Sequence, residues 1–370
     1  MTIISLIILS VYILLIGIFI AGFLKTKELK FKNKPSINTF SILIPFRNEK
    51  QNLPSLLNSL SKLKYPKELF EILLINDESE DDFMSVINNY NYLNIRVLNT
   101  IRHSKSPKKD AIETGINHSK FNWILTTDAD CALPKNWIHS FDEFIQKNDS
   151  VFIAGPVTFT TSNSFLGNFQ LLDFTALIGC TIGGFGINKA FMCNGANLCY
   201  QKSIFLKLNG FEGNNTIASG DDIFLLEKMI EKYPKQIHYL KSFDALVTTS
   251  TETTLKSLIS QRIRWASKTS FYTDTFTNFI SLIVFLANII CAAIIIRLIF
   301  SQYISTFLIT ILILKFSIDF CIIFLTLKFL KKQMKIIYFP FVSIVHPFFN
   351  LWIGMRSILN SKYHWKNRNH

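Results

Sequence analysis

The chain has 370 residues, a formal net charge of +13 and 49% hydrophobic residues, with a mean hydropathy of +0.28. That length suits one catalytic domain of about 230 residues plus membrane segments, and the hydropathy argues against a wholly soluble enzyme. The basic balance admits nucleic acid, anionic lipid or nucleotide phosphate as partners. No nucleic-acid recognition motif is present, and the lysines and arginines flank apolar runs, so lipid and nucleotide diphosphate account for the charge more simply. None of the six cysteines forms a C-x-x-C pair, which fits a reducing compartment with no zinc site. The sequons at Asn117, Asn148 and Asn214 carry no weight in such a compartment.

Residues 1–24 hold no charged side chain and are followed by Lys25, Lys27, Lys30, Lys32 and Lys34. There is neither a basic leader nor a small-x-small cleavage site, so the segment reads as a membrane anchor. The lysines place the chain from residue 25 onward in the cytoplasm. Residues 25–38 read as a basic linker.

From residue 39 short apolar runs alternate with amphipathic stretches. Phe40–Pro45, Phe70–Ile75, Ile95–Leu98 and 122–127 read as buried strands. Residues 50–63, 80–90 and 107–119 read as helices. Such alternation predicts an α/β domain over 39–251 with a mostly parallel sheet. In such sheets ligands bind beyond the carboxyl ends of the strands, where Asp77 and Asp128 fall. Further on, 202–208 and 221–232 read as helices and 244–249 as a strand. Gly183-Gly184-Phe185-Gly186 reads as a mobile loop. Cys193 and Cys199 read as small residues lining a pocket.

Residues 252–275 are amphipathic and suit the membrane interface. Residues 276–357 contain the C-terminal membrane segments, and 358–370 form a basic tail. That tail and Lys328, Lys331, Lys332 and Lys335 are both basic, so both should stay inside. Pro340 and Pro347 then suggest that 336–357 crosses only partly, giving one N-terminal and two to three C-terminal transmembrane helices. His346 in this stretch has no assigned role.

Asp128-Ala129-Asp130 follows a buried strand. Two carboxylates two residues apart can hold a hard divalent cation, Mg2+ or Mn2+, whose shell a nucleotide diphosphate would complete. Asp77, at a strand end, can accept from the N–H groups of a base or cap the helix at 80–90.

Several motifs in order resemble a membrane-bound family 2 glycosyltransferase with a GT-A fold, over roughly residues 39–270. They are Ile44-Pro45-Phe46-Arg47-Asn48-Glu49, Ile75-Asn76-Asp77-Glu78-Ser79, Lys108 to Gly115, Asp128-Ala129-Asp130, Leu208 to Glu212, Ser219-Gly220-Asp221-Asp222 and Gln261-x-x-Arg264-Trp265. Asn76 replaces an acid of the family pattern, and Glu78 replaces a small residue. The resemblance implies an inverting, metal-dependent hexosyltransferase of the cytoplasmic membrane that uses a nucleotide sugar, UDP-linked by family habit. It places Pro45, Glu49, Asp77, Lys108 and Asp128 at the donor and makes Asp130 the direct metal ligand, with Asp128 nearby. Asp222 becomes the general base, supported by Asp221, which can also cap its helix. Gln261, Arg264 and Trp265 form the interfacial signature of the polysaccharide-synthase and ceramide-glucosyltransferase branches, serving acceptor and diphosphate. The acceptor reads as lipid-linked, with a processive polysaccharide synthase as the alternative. Nucleic acid is not an expected partner, and oligomeric state is not legible.

Overall fold

A computed structural model describes residues 3–213, 220–267, 274–300, 305–359, 364–365 and 368–369. Ser219 of the acidic motif, the Asn214 sequon, the end of the interfacial segment at 268–273 and most of the tail from Lys362 lie outside them. The chain divides into a sheet unit, residues 26–160 with 192–250, and a helical unit, residues 1–25, 161–191 and 251–370. The expected unbroken catalytic domain over 39–251 is therefore interrupted by residues 161–191.

In the sheet unit, β1 (Phe40–Phe46), β2 (Phe70–Asn76), β3 (Ile95–Asn99) and β4 (Trp123–Thr126) are parallel, in the order β3-β2-β1-β4. Nearly every residue of β1, β2 and β4 is buried, as continuous apolar runs require when both faces are covered. The sheet continues through β8 (Leu198–Gln201), β6 (Phe152–Ala154) and β9 (Ile237–Tyr239), with β8 antiparallel to both β4 and β6. A second small sheet joins β5 (Cys131–Ala132), β10 (Val247–Thr249) and β7 (Val157–Phe159).

Helix α2 (Leu53–Leu60) buries Leu53, Leu56, Leu57 and Leu60, each contributing about 1.5–3 kcal/mol of transfer energy. The helix expected over 80–90 shrinks to α3 (Met84–Ile87) and one 3-10 turn. Residues 79–80 are used elsewhere: Ser79 N–H donates to Asn76 Oδ1 at 2.9 Å, and Glu80 N–H donates to Asn48 Oδ1 at 2.8 Å. Helices α4 (Pro107–His118), α5 (Trp137–Ile145), α7 (Lys202–Lys207) and α8 (Asp221–Lys232) complete the unit. The strand expected over 244–249 is a 3-10 turn followed by β10.

The lysine-rich stretch before β1 is not a free linker. Two fully buried acids of α5 collect its backbone donors. Glu143 accepts from Lys32 N–H at 3.0 Å and Lys34 N–H at 3.1 Å; Asp142 accepts from Ile37 N–H at 3.0 Å. Side-chain charge gives no hint of this, because the bonds are made by the main chain.

The helical unit contains α1 (Ile3–Lys25), α6 (Phe165–Gly186), α9 (Leu255–Ala266), α10 (Thr275–Phe300), α11 (Thr306–Phe329) and α12 (Phe339–Leu359). Five described helices (all of these except α9) are long and apolar enough to cross a membrane. Helix α6 is the unexpected one. Its C-terminal turns contain Gly183 to Gly186, the stretch expected to be a mobile loop. These glycines serve close packing: a Cβ on Gly22 would lie 2.1 Å from the Gly183 carbonyl oxygen, and one on Gly183 would lie 2.4 Å from that of Phe19. Small residues let α1 and α6 approach backbone to backbone. Both flanks of α6 return to one sheet, since β6 and β8 are paired neighbours.

Pro340 and Pro347 do not interrupt helix α12. It is continuous over 21 residues with Pro347 inside it. Pro340 falls in the first turn, where a missing N–H is not needed.

Candidate active site

Glu49, Asp77, Asp128 and Asp130 follow the carboxyl ends of β1, β2 and β4. After β4 the chain turns at Asp128, whose carbonyl accepts from Cys131 N–H at 3.2 Å. The turn projects Asp128 and Asp130 on either side of buried Ala129. Lys108, in the first turn of α4, reaches across: its Nζ lies 2.8 Å from Asp128 Oδ1 and 3.5 Å from Asp221 Oδ2. Burial alone would lower the Lys108 ammonium. The carboxylates of Asp128, Asp221 and Asp222 outweigh burial and hold its pKa above the usual lysine range.

Asp130 opens to solvent, and its Oδ2 accepts from Thr249 Oγ1 at 3.2 Å. The protein packed around it, then the charges of Asp128 and Glu49, hold its carboxyl above the usual carboxylate range. Glu49 is itself buried, its Oε2 accepting from Asn52 Nδ2 at 2.6 Å. Mutual repulsion among three acids at one recess is the condition a divalent cation relieves. The donor set is all oxygen, which suits Mg2+ or Mn2+.

Helix α8 begins with the two acids. Gly220 is its N-cap, in the left-handed region at φ +88°, where a side chain would be strained. Asp221 is not the N-cap expected of it; it follows Gly220 and lies beside Lys108, while Asp222 Oδ1 accepts from the first-turn Ile223 N–H at 2.9 Å. Asp222 Oδ2 accepts from the Gly195 backbone N–H at 3.1 Å. Gly195 is packed close: a Cβ there would lie 3.2 Å from Asp221 Oδ2 and 3.4 Å from Lys108 Nζ. The Gly195 carbonyl in turn accepts from Thr126 Oγ1 at 2.9 Å. A backbone donor thus orients the Asp222 carboxylate, a role sequence reading did not find. Cys199, expected to line a pocket, is instead fully buried within β8.

Asp77 is 4% exposed, and its N–H donates to the Phe46 carbonyl at 2.8 Å. Its Oδ1 is ion-paired with Arg102 Nη2, a partner sequence reading missed. It does not cap α3, which starts seven residues later. Arg47 braces the same loop, its Nη1 donating to the carbonyls of Asp77 at 3.1 Å and Glu78 at 2.9 Å. Pro45 is half-buried near the end of β1, opposite Ile75.

In the helical unit, Gln261, Arg264 and Trp265 lie on α9. Gln261 Nε2 donates to Glu252 Oε1 at 3.0 Å, and Trp265 packs on Phe174 with centroids 5.9 Å apart. Between them, Arg262 is the buried member. Its Nε donates to Asp173 Oδ2 at 2.9 Å, and its Nη2 lies 2.8 Å from the same oxygen. Its guanidinium also sits 4.2 Å from the Trp265 ring centroid. His346 Nε2 lies 3.1 Å from Asp173 Oδ1, so the residue left unassigned on α12 is a partner of α6. The structure thus groups Lys108, Asp128, Asp130, Asp221 and Asp222 with Glu49 in one recess of the sheet unit, Asp77 with Arg102, and Gln261, Arg264 and Trp265 along α9.

Residues 41–205 match the family model described as glycosyl transferase family 2. A poly-beta-1,6-N-acetyl-D-glucosamine synthase of Staphylococcus epidermidis is 24% identical over 238 residues, covering 62% of this chain and 54% of its own. That of Staphylococcus aureus strain COL is 25% identical over 255 residues, covering 65% and 58%. The chain spans little more than half the length of these curated relatives. A mannosyltransferase from Pyrobaculum calidifontis, solved in complex with GDP-Man and Mn2+, superposes with a TM-score of 0.53 at 13% identity, covering 92% of this chain and 98% of that one; at that identity it shows the shared fold alone. The mixed, mostly parallel sheet is a GT-A-like fold. Over residues 41–205 the chain is similar to glycosyl transferase family 2.

Proposed function

We propose that this enzyme transfers one sugar from a nucleoside-diphosphate sugar, UDP-linked, to a lipid-linked acceptor at the cytoplasmic membrane face, with inversion at the anomeric carbon. The observation that carries the reading is the recess itself: Lys108 is held by Asp128 and Asp221, and Asp222 is oriented by the Gly195 N–H. An ammonium at a helix N-terminus is a ready site for diphosphate. Asp77 receives the base. Asp222 takes the proton from the acceptor hydroxyl as that oxygen attacks, the geometry of a single in-line displacement. Asp128 and Asp130 would hold Mg2+ or Mn2+, which neutralises the diphosphate as it leaves. Gln261, Arg264 and Trp265 serve acceptor and diphosphate; the planar fork of Arg264 suits phosphate oxygens.

A second reading is a processive polysaccharide synthase, favoured by the names of the curated relatives above. One experiment tests both. Membranes carrying the chain or Asp222→Asn are given radiolabelled UDP-sugars with Mn2+, and product is split into organic-extractable and polymeric fractions. Organic label that vanishes in Asp222→Asn, with nucleotide binding retained, is the expected result. Label in polymer selects the second reading. Undiminished transfer by Asp222→Asn overturns the assignment of the base.

A further inference from the structure

Away from Asp128 and Asp130, three ligand-type side chains converge where the chain passes from β3 into α4. His103 Nε2 lies 3.4 Å from Asp110 Oδ1 and contacts Glu113 Oε2. One ligand atom from each residue falls within 4.8 Å of the others. Each side chain is held from behind. Asp110 Oδ2 accepts from the backbone N–H groups of His103 at 3.4 Å and Ser104 at 3.2 Å. Glu113 Oε1 accepts from Phe211 N–H at 3.1 Å. His103 Nδ1 lies 3.2 Å from the Ile101 carbonyl oxygen. A carbonyl only accepts, so Nδ1 donates to it, and Nε2 is the ring nitrogen that faces the two carboxylates, as a donor when protonated and as a ligand when not.

Two carboxylates converging on one imidazole nitrogen call for a positive charge there, either the ring's own second proton or a bound cation. A second observation points the same way. Asp110 is 1% exposed, and its Oδ1 makes no hydrogen bond among the described residues. A buried acceptor without a donor is costly, by about 1–3 kcal/mol or more when charged. The 3.4 Å separation of His103 Nε2 and Asp110 Oδ1 is close to the edge, about 3.3 Å, of a tetrahedron of ligands bonded at about 2.0–2.1 Å, whereas the His103–Glu113 contact is tighter than that edge and has to open to admit an ion. His103 is 47% exposed, which leaves an open side for water.

We propose that His103, Asp110 and Glu113 form a binding site for one divalent ion of the zinc class, with water completing the shell. An imidazole with two carboxylates is a donor set that Zn2+ accepts. The expectation of no zinc site was drawn from the cysteines, and this set contains none. The ion would tie the loop at 100–106 to α4. That loop carries Arg102, whose Nη1 lies 3.7 Å from Asp110 Oδ2 and which pairs with Asp77. The inference does not depend on the transferase reading.

The test uses the full chain in detergent, without nucleotide, equilibrated with buffered Zn2+. Wild type, Asp130→Asn and His103→Gln are compared by bound metal and by zinc-edge X-ray absorption. The expected result is one zinc per chain in wild type and Asp130→Asn, with a nitrogen–oxygen shell, weakened at least about 10-fold in His103→Gln. Tryptic cleavage after Arg102 and Lys105 should slow with Zn2+ in the first two proteins only. Equal binding by His103→Gln overturns the proposal, as does a sulfur shell from the cysteines. Absence of zinc from wild type also overturns it and leaves a proton bridging the three groups.

Discussion

Removing the Asp173 carboxylate should unlatch three helices at once. Asp173 on α6 is 9% exposed and its partner Arg262 on α9 is 7% exposed; His346 of α12 contacts the other carboxylate oxygen. Asp173→Ala deletes a charged hydrogen bond to each partner, worth about 1.5–3 kcal/mol apiece. It also strands a buried guanidinium, and breaking one side of a buried pair costs about 3–5 kcal/mol in all. Arg262→Met keeps length and packing against Trp265 and should cost a similar amount alone. The double variant has no stranded charge, so the two losses should not add, leaving a coupling energy of about 2–3 kcal/mol. Unfolding of the purified chain in mixed micelles, followed by tryptophan fluorescence, measures all four corners of the cycle. A single loss below about 1 kcal/mol, the range of solvent-screened pairs, or strict additivity would refute the claim that this pair latches α6, α9 and α12.

Other outcomes concern the recess and the helix crossing. Burial and the charges of Asp128 and Glu49 hold the Asp130 carboxyl above its ordinary pKa. Its contribution to stability is present at acid pH and lost as pH rises through the raised value. Asp130→Asn should therefore flatten the rise of melting temperature toward acid in chelator and abolish the stabilisation by Mn2+; an unchanged pH profile would count against the crowded-acid account. Lys108→Met should weaken UDP binding by about 10–100-fold, the worth of a lost charge-assisted hydrogen bond, and equilibrium dialysis reads it directly. Gly22→Leu should lower the yield of folded protein on size exclusion sharply, because its Cβ alone would meet the Gly183 carbonyl oxygen at 2.1 Å; Gly17→Leu, with nothing within 4 Å, is the control.

What was legible in the sequence was local. Strands β1, β2 and β4 declare themselves as unbroken apolar runs, and Asp77 and Asp128 fall at strand ends because strand polarity fixes where the chain leaves a parallel sheet. Helix α6 was not legible. Asn168, Gln170 and Asp173 interrupt its apolar character, and glycines end it. Those polar groups find partners that periodicity cannot reveal. Gln170 Nε2 donates to the Glu252 carbonyl at 2.9 Å, and Asp173 finds Arg262. The role of Gly195 was hidden because it is played by a backbone N–H. Arg102 was missed because its partner Asp77 is 25 residues away in sequence. The docking of residues 32–38 was missed because charge patterning speaks only for side chains.

The detour through α6 dictates an order of synthesis. Strand β8 lies between β4 and β6 in the sheet, yet it leaves the ribosome only after α6. The first four strands can pair early, but β8 can join them only after an apolar helix has been made. A fragment spanning 26–250 would still contain α6 but lack its partner in α1. It should emerge from translation as an aggregate, because the small-residue face of α6 is left without the α1 backbone it packs on.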